Sequence, residues 1–250
     1  WKAGTTSGIA TNGSTTITPS AYSFNQTTGI SIIKYTGNST AGAKLAHGLG
    51  SIPHTWWIKR TSAGNYDWSV YHKNLKSDNS QNYYAILNGD GAAIDNTYWN
   101  DTVPDSVNLT LGNFGSVNTS GDEYIAYVFT GKPGFSHFSN YQGHSSNADG
   151  AYVFTGFRPN YLIIKNGDGG DIWVSQNVKS STYNPSTIYM IPSGLAAATD
   201  TSTYAIDFLS NGFKIRATVN GLNYTTQNYA FWAWAEFPMV SSNDVPGVAR

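Results

Sequence analysis

The chain repeats itself, and the repeat limits what it can fold into more than any other feature. Gly29-Ile-Ser-Ile-Ile-Lys-Tyr35-Thr-Gly37 returns as Gly134-Phe-Ser-His-Phe-Ser-Asn-Tyr141-Gln-Gly143. Gly50-Ser-Ile-Pro53-His-Thr-Trp-Trp-Ile-Lys59 returns as Gly156-Phe-Arg-Pro159-Asn-Tyr-Leu-Ile-Ile-Lys165. Trp68-Ser-Val70 has its counterpart at Trp173-Val174, and Tyr124-Ile-Ala-Tyr-Val-Phe129 at Tyr229-Ala-Phe-Trp-Ala-Trp234. The spacing is 105 residues for the Gly, Trp and Tyr anchors and 106 for the Pro pair. Four anchors in one order at one spacing are hard to obtain by chance, so two copies of one fold unit are expected. Trp1-Lys-Ala-Gly also resembles Phe129-Thr-Gly-Lys-Pro-Gly134, the exit from a copy's last strand. It lacks an initiator Met, a charged leader and an apolar run, so residue 1 is expected to lie inside a longer chain.

Each copy reads as β structure. Ile30–Tyr35, Thr55–Lys59, Trp68–Tyr71, Tyr83–Leu87, Val107–Leu111 and Tyr124–Phe129 are short runs rich in β-branched and aromatic residues, bounded by Gly, Asn, Asp or Pro. The second copy offers Phe135–Tyr141, Ala151–Phe154, Tyr161–Lys165, Ile172–Val174, Thr187–Ile191, Tyr204–Leu209, Gly212–Ala217 and Tyr229–Ala235. The last strand of each copy is apolar on both faces and is expected to sit centrally, covered on both sides. Only Gly194–Thr199 offers a helical turn. The fold expected is all-β, with two tandem, internally repeated β-sandwich modules of jelly-roll or lectin-like type. Residues 1–28 read as an extended connector from a preceding module or as an edge strand. Modules follow at 29–133 and 134–239, then a polar C-terminal tail at 240–250.

Composition narrows the function. Only 12% of residues are charged and the net charge is −1, against about 25% charged in an average globular protein. No basic field is present to hold nucleic acid, and no polybasic segment to hold anionic lipid. No apolar run reaches membrane-spanning length. Cysteine is absent, so no disulfide or thiolate site is available. The 17 Tyr and 8 Trp, with polarity supplied by Ser, Thr and Asn, suit a rigid β surface that faces the outside of a cell or particle.

Signals for chemistry are weak. His47, His54, His72, His137 and His144 stand without a G-x-S-x-G elbow. Glu123 and Glu236 are the sole glutamates, and they do not occupy equivalent repeat positions, so a carboxylate pair for glycoside hydrolysis has little to draw on. Asn166-Gly-Asp168-Gly-Gly-Asp171 and Asn88-Gly-Asp90-Gly91 bring oxygen ligands close together. They depart from a calcium loop and match tight turns, whose Asn-Gly and Asp-Gly pairs tolerate positive φ. No catalytic residue, metal or cofactor is expected. Sequons at Asn12, Asn25, Asn38, Asn100, Asn108, Asn118 and Asn223 suggest loops that can be exposed.

Aromatic-plus-amide clusters remain. Tyr66-Asp67-Trp68 and Tyr98-Trp99-Asn100-Asp101 set rings beside planar hydrogen-bonding groups, the combination that covers a pyranose face and its hydroxyls. Trp68 is repeated at Trp173 and is therefore read as core. Trp99 has no such counterpart and is the better candidate for binding. The ligand-binding set is Tyr66, Asp67, Tyr98, Trp99, Asn100 and Asp101.

The anchors, with His47-Gly-Leu-Gly-Ser-Ile-Pro53, Trp68-Ser-Val-Tyr-His72, Trp99-Asn-Asp-Thr-Val-Pro104, Ser210-Asn-Gly-Phe-Lys214 and Ala235-Glu-Phe-Pro238, resemble a domain family of tail fibres and related virion appendages. These belong to marine phages that infect cyanobacteria and other ocean bacteria. The resemblance spans nearly the whole chain, although the family carries a Cys or small residue where Val128 stands. It implies a structural and host-recognition segment of a virion, a homotrimer in contact with other virion proteins, binding a cell-surface glycan or receptor without catalysis. A capsid-decorating protein and, last, a surface-polysaccharide depolymerase are the alternatives.

Overall fold

The computed structural model describes residues 3–62, 64–144, 149–179, 181, 183–192 and 198–238. The described chain is all-β, with several open sheets. It divides into two compact units. The first takes the described residues of 1–73, 78–87 and 94–131; the second takes 74–77, 88–93 and those from 132 onward.

In the first unit the strands are β1 (Ala21–Asn25), β2 (Ile30–Thr36), β3 (Ala43–Ala46), β4 (Thr55–Arg60), β5 (Ser69–His72), β6 (Tyr83–Ile86), β7 (Ile94–Asp95), β8 (Asn108–Leu111) and β9 (Glu123–Phe129). Seven form one sheet in the order β1-β2-β9-β4-β5-β6-β7, and β3 pairs with β8 separately. Alternation decides which face is buried. Tyr124, Ala126 and Val128 of β9 point into the core, while Glu123 is exposed and Ile125 and Tyr127 are half-buried. β9 is thus central, with one face fully buried and the other covered in part: on that side Glu123 is exposed, Ile125 and Tyr127 are half-buried and Phe129 is buried. Ile33, Tyr35, Trp56 and Ile58 from the large sheet meet Leu45, Leu109 and Leu111 from the β3–β8 pair in a single core. The described residues of 1–28 contribute edge strand β1, and Ile17 is buried in the same core.

In the second unit β10 (Ser136–Gln142), β12 (Pro159–Asn166), β13 (Val174–Asn177) and β18 (Asn228–Ala235) form a sheet in the order β10-β18-β12-β13. β11 (Tyr152–Phe154), β16 (Ile206–Leu209) and β17 (Gly212–Ile215) form another in the order β11-β17-β16. β14 (Ile188–Tyr189) pairs with β15 (Thr199–Asp200). One helical turn, α1 (Asn220–Asn223), precedes β18. β18 is buried from Asn228 through Trp234, so its apolar residues are covered on both faces. Its core joins Leu162, Ile164 and Phe231 to Phe208, Phe213 and Ile215 of the three-stranded sheet.

Corresponding strands pair in corresponding registers. Tyr35 faces Tyr124, and Tyr141 faces Tyr229. Arg60 faces Tyr124, and Asn166 faces Tyr229. Ile58 faces Ser69, and Ile164 faces Val174. The close approaches match too. A Cβ on Gly37 would lie 2.3 Å from the Thr119 carbonyl oxygen, and one on Gly143 would lie 2.0 Å from that of Tyr224. A side chain is excluded at either position. The expected turn at Gly194–Thr199 lies largely outside the described residues, with Thr199 in β15; the tail at 240–250 lies outside them altogether.

Candidate functional site

The two aromatic clusters fall on different sides of their expected roles. Trp99 is fully buried. Its indole Nε1 donates to the Tyr83 carbonyl at 2.9 Å, and its ring meets Trp56 edge-on at 5.2 Å between centroids. Trp99 is therefore a core residue and presents no face to a ligand. This corrects the reading of the sequence, where its lack of a repeat partner singled it out. Trp68, read as core, is half-buried and lies 6.1 Å from the Tyr127 ring. The matched pair Trp173 and Trp232 has a similar tilt at 5.3 Å, yet both rings are fully buried. The Trp173 indole there donates to the Gly89 carbonyl at 3.1 Å.

Tyr98 carries the surface reading further. Its half-buried ring lies between Tyr84, at 3.7 Å and 8° from parallel, and Phe114, at 4.6 Å and 20°. Its hydroxyl donates to Ser116 Oγ at 3.4 Å. Burial raises the Tyr84 hydroxyl pKa, with the Tyr98 hydroxyl and the Asp67 charge adding to the effect. Asp67 is exposed and acts electrostatically on this stack. Tyr66 packs on the same connecting loop: a Cβ on Gly115 would lie 2.9 Å from its ring. The Arg60 guanidinium sits 4.2 Å over the Tyr66 ring and pairs with Asp122 at 2.6 Å. Tyr66 and Tyr98 thus gather around residues 114–116, while Asp67 reaches the stack through its charge on Tyr84. Phe114, Ser116 and Tyr84 complete the cluster; no local signal in the sequence named them. Asn100 and Asp101 serve a turn with left-handed backbone, φ 52° and 48°.

The titratable groups are tied into structure. His47 is fully buried; its Nδ1 accepts from the Leu49 N–H at 3.2 Å, and its Nε2 lies 3.1 Å from the Asp105 carbonyl. Burial lowers its pKa to about 4. Asp105 is pushed upward by burial, but N–H donors from Asn108 and Val107 outweigh this and hold its carboxyl below the usual range. Glu123 pairs with Lys34 at 2.9 Å, and Glu236 with Arg158 at 3.5 Å. In the turn at Asn166, the Asp168 carboxylate accepts from the Asn228 N–H at 2.7 Å and pairs with Lys76 at 2.5 Å. No group of three or more potential metal ligands occurs among the described residues. No helix among them is long and apolar enough to cross a membrane. Three sequon asparagines, Asn108, Asn118 and Asn223, are fully buried. Their amides hold backbone or neighbouring side chains, as Asn118 Nδ2 holds the Gly112 carbonyl at 2.9 Å, so those loops do not expose them.

The second unit contains a cleft of about 250 Å³ lined by Arg158, Val178, Ser181, Tyr183, Asn184 and Ser186. Arg158 comes from the entry to β12, while the other residues lie between β13 and β14, so only the tertiary fold assembles it.

No curated protein and no solved structure matches the chain. A family described as a domain of unknown function, DUF7483, matches residues 1–238, and the chain belongs to that family.

Proposed function

We propose that the chain is a tandem duplication of one β-sandwich module, of jelly-roll or lectin-like type, serving as a structural and host-recognition segment of a phage tail fibre or similar virion appendage. It binds a cell-surface glycan or envelope receptor without catalysis, and self-associates as a trimer alongside other virion proteins. The matching strand orders, registers and glycine approaches of the two units support the duplication. The virion setting rests on the resemblance of the anchors to appendage domains and on a surface polar through amides and hydroxyls.

The observation that carries the recognition reading is the Tyr84–Tyr98–Phe114 stack with Asp67 beside it. Tyr84 and Phe114 take both faces of the half-buried Tyr98 ring, so the stack offers a sugar no face to lie on; it offers a fixed ring edge with little side-chain freedom left to lose. Asp67 and the Ser116 hydroxyl supply acceptors and a donor for sugar hydroxyls. Binding of the purified chain to host cells, before and after removal of envelope polysaccharide, tests this. Binding lost with the polysaccharide is expected. No binding, together with a position on the capsid surface in particle images, would favour a decorating protein. Reducing ends released from host polysaccharide, and lost in Asp101→Asn, would favour a depolymerase.

A further inference from the structure

The cleft of the second unit has the features of a binding site in its own right. Tyr183 is 83% exposed. Packing does not explain a tyrosine that leaves so much ring in water, and such a ring is available for stacking. Ser186 is the opposite case. It is 2% exposed, and its Oγ has no hydrogen-bond partner among the described residues. A hydroxyl this deep is out of reach of a ligand, so Ser186 belongs to the wall that shapes the cleft.

The cleft wall is held in place before any ligand arrives. Asn184 Nδ2 donates to the Phe208 carbonyl at 2.9 Å, and its Oδ1 accepts from the Phe208 N–H at 3.0 Å. The backbone of Ser186 exchanges hydrogen bonds with Ile206 at 2.8 and 3.0 Å. Ser181 Oγ accepts from the Thr187 N–H at 3.2 Å, which leaves its own O–H to donate. Arg158 is fixed through its carbonyl, which accepts from the Glu236 N–H at 2.9 Å.

Charge and size set the ligand class. Arg158 Nε lies 3.5 Å from Glu236 Oε2 without forming a hydrogen bond. The paired charges nearly cancel, so the guanidinium acts as a donor array more than as an anion trap. A cleft of about 250 Å³ is below the roughly 300–1,000 Å³ that encloses drug-sized ligands, so it suits a single ring. At the repeat spacing of 106 residues, Arg158 stands opposite Ile52, so the shared fold does not account for the guanidinium.

We propose that this cleft takes one neutral pyranose unit of a polysaccharide, stacked on Tyr183 and hydrogen-bonded by Arg158 and Ser181. The choice of a sugar rests on the recognition reading above; the cleft itself does not. The test is a titration of the full chain with methyl glucoside, methyl galactoside, methyl mannoside and glucuronate, followed by amide NMR. At least one neutral glycoside is expected to shift the amides of residues 181 and 183–186 at millimolar concentration. Tyr183→Ala should weaken that binding about tenfold or more. Ser186→Ala, which removes a hydroxyl that no ligand reaches, should leave the binding unchanged, which separates a cleft contact from the buried wall behind it. Shifts with glucuronate alone, no shifts with any sugar, or unchanged binding in Tyr183→Ala would each overturn the proposal. Cell binding that survives Tyr183→Ala while no glycoside enters the cleft sinks this inference alone. Glycoside occupancy without any cell binding sinks the recognition reading and leaves the cleft.

Discussion

Tyr35 and Tyr124 stack across β2 and β9 with ring centroids 5.1 Å apart and planes 16° from parallel. Tyr141 and Tyr229 do the same across β10 and β18, at 5.0 Å and 10°. The hydroxyls repeat as closely as the rings. Tyr35 donates to the Val117 carbonyl and Tyr141 to that of Leu222, both at 2.7 Å. Tyr124 donates to the Gly115 carbonyl at 2.8 Å and accepts from the Thr119 N–H at 2.8 Å. Tyr229 donates to the Asn220 carbonyl at 2.6 Å and accepts from the Tyr224 N–H at 2.7 Å. Each tyrosine pair therefore fastens the loop before the central strand to the sheet.

Tyr124→Phe and Tyr229→Phe should accordingly cost similar amounts. Each removes one hydroxyl and strands a carbonyl and an N–H that it had satisfied, a penalty of about 1–3 kcal/mol. Urea unfolding of the two variants measures it. Penalties that differ severalfold would count against the two units being copies of one module.

Trp99 and Tyr98 are neighbours with opposite expected phenotypes. Trp99→Ala empties a core position and removes the hydrogen bond to the Tyr83 carbonyl, so it should cost about 3–5 kcal/mol of stability. Tyr98→Ala gives up two ring stacks worth about 0.5–1.5 kcal/mol each, and the chain should still fold. Glycan binding should fall about tenfold in Tyr98→Ala, read as a weaker dissociation constant. A Tyr98→Ala protein that binds cells as the parent does would remove the stack from the recognition surface.

The sequence made the strands legible where β-branched and aromatic residues cluster, as in Thr55–Arg60 and Asn228–Ala235. It made the sequence repeat legible because core tyrosines and glycines recur at spacings of 105 and 106 residues. It did not reveal β3, whose Ala-Lys-Leu-Ala is a poor strand sequence that pairs because Leu45 is needed in the core opposite Leu109. The reversal of Trp68 and Trp99 has a physical cause as well. Repetition marks a position as part of the fold without saying whether neighbouring segments cover it. Trp173 is covered where the Gly89 carbonyl reaches its indole, and Trp68 stays half-exposed at the matching position. Sites built from separated loops, such as Tyr98 with Phe114 or Arg158 with Tyr183, leave no local trace in the sequence.

His47 predicts a loss of stability in mild acid. Protonating it in the folded chain would break the Leu49 N–H bond to Nδ1 and place a charge in a fully buried site. Its pKa is about 4 when folded, against 6.5 when unprotected. As pH falls from 6.5 towards 4, the unfolded chain takes up a proton that the folded chain refuses. Stability should drop by about 3 kcal/mol across that window, then level off for this group. Asp105 adds a further loss below the ordinary aspartate range, since its folded carboxyl is held low. Denaturation midpoints of the parent and His47→Gln between pH 7 and pH 4 should converge as the pH falls. Parallel curves would contradict the assignment.

Lys165 predicts a gain of stability in mild base, a slope with pH of the same sign. Its side chain is fully buried, donates to the Asp90 carbonyl at 3.2 Å and to that of Asp171, and lies 5.6 Å from the Trp173 ring centroid. Burial lowers its pKa from 10.5 to about 8, although the Asp90 and Asp171 charges pull the other way. Between pH 8 and 10.5 the unfolded chain keeps a proton that the folded chain has released, so stability should rise with pH by up to about 3 kcal/mol. Buried Tyr35 and Tyr141 work against this above pH 10, because burial raises their pKa and the unfolded phenols ionise first. The rise should therefore show between pH 8 and 10 and flatten beyond. Lys165→Met should abolish the slope while leaving the two carbonyls short of a donor, so it should start from lower stability. An Nζ resonance that titrates near 10.5 in the folded protein would show that the amine reaches water and that the rise has another source.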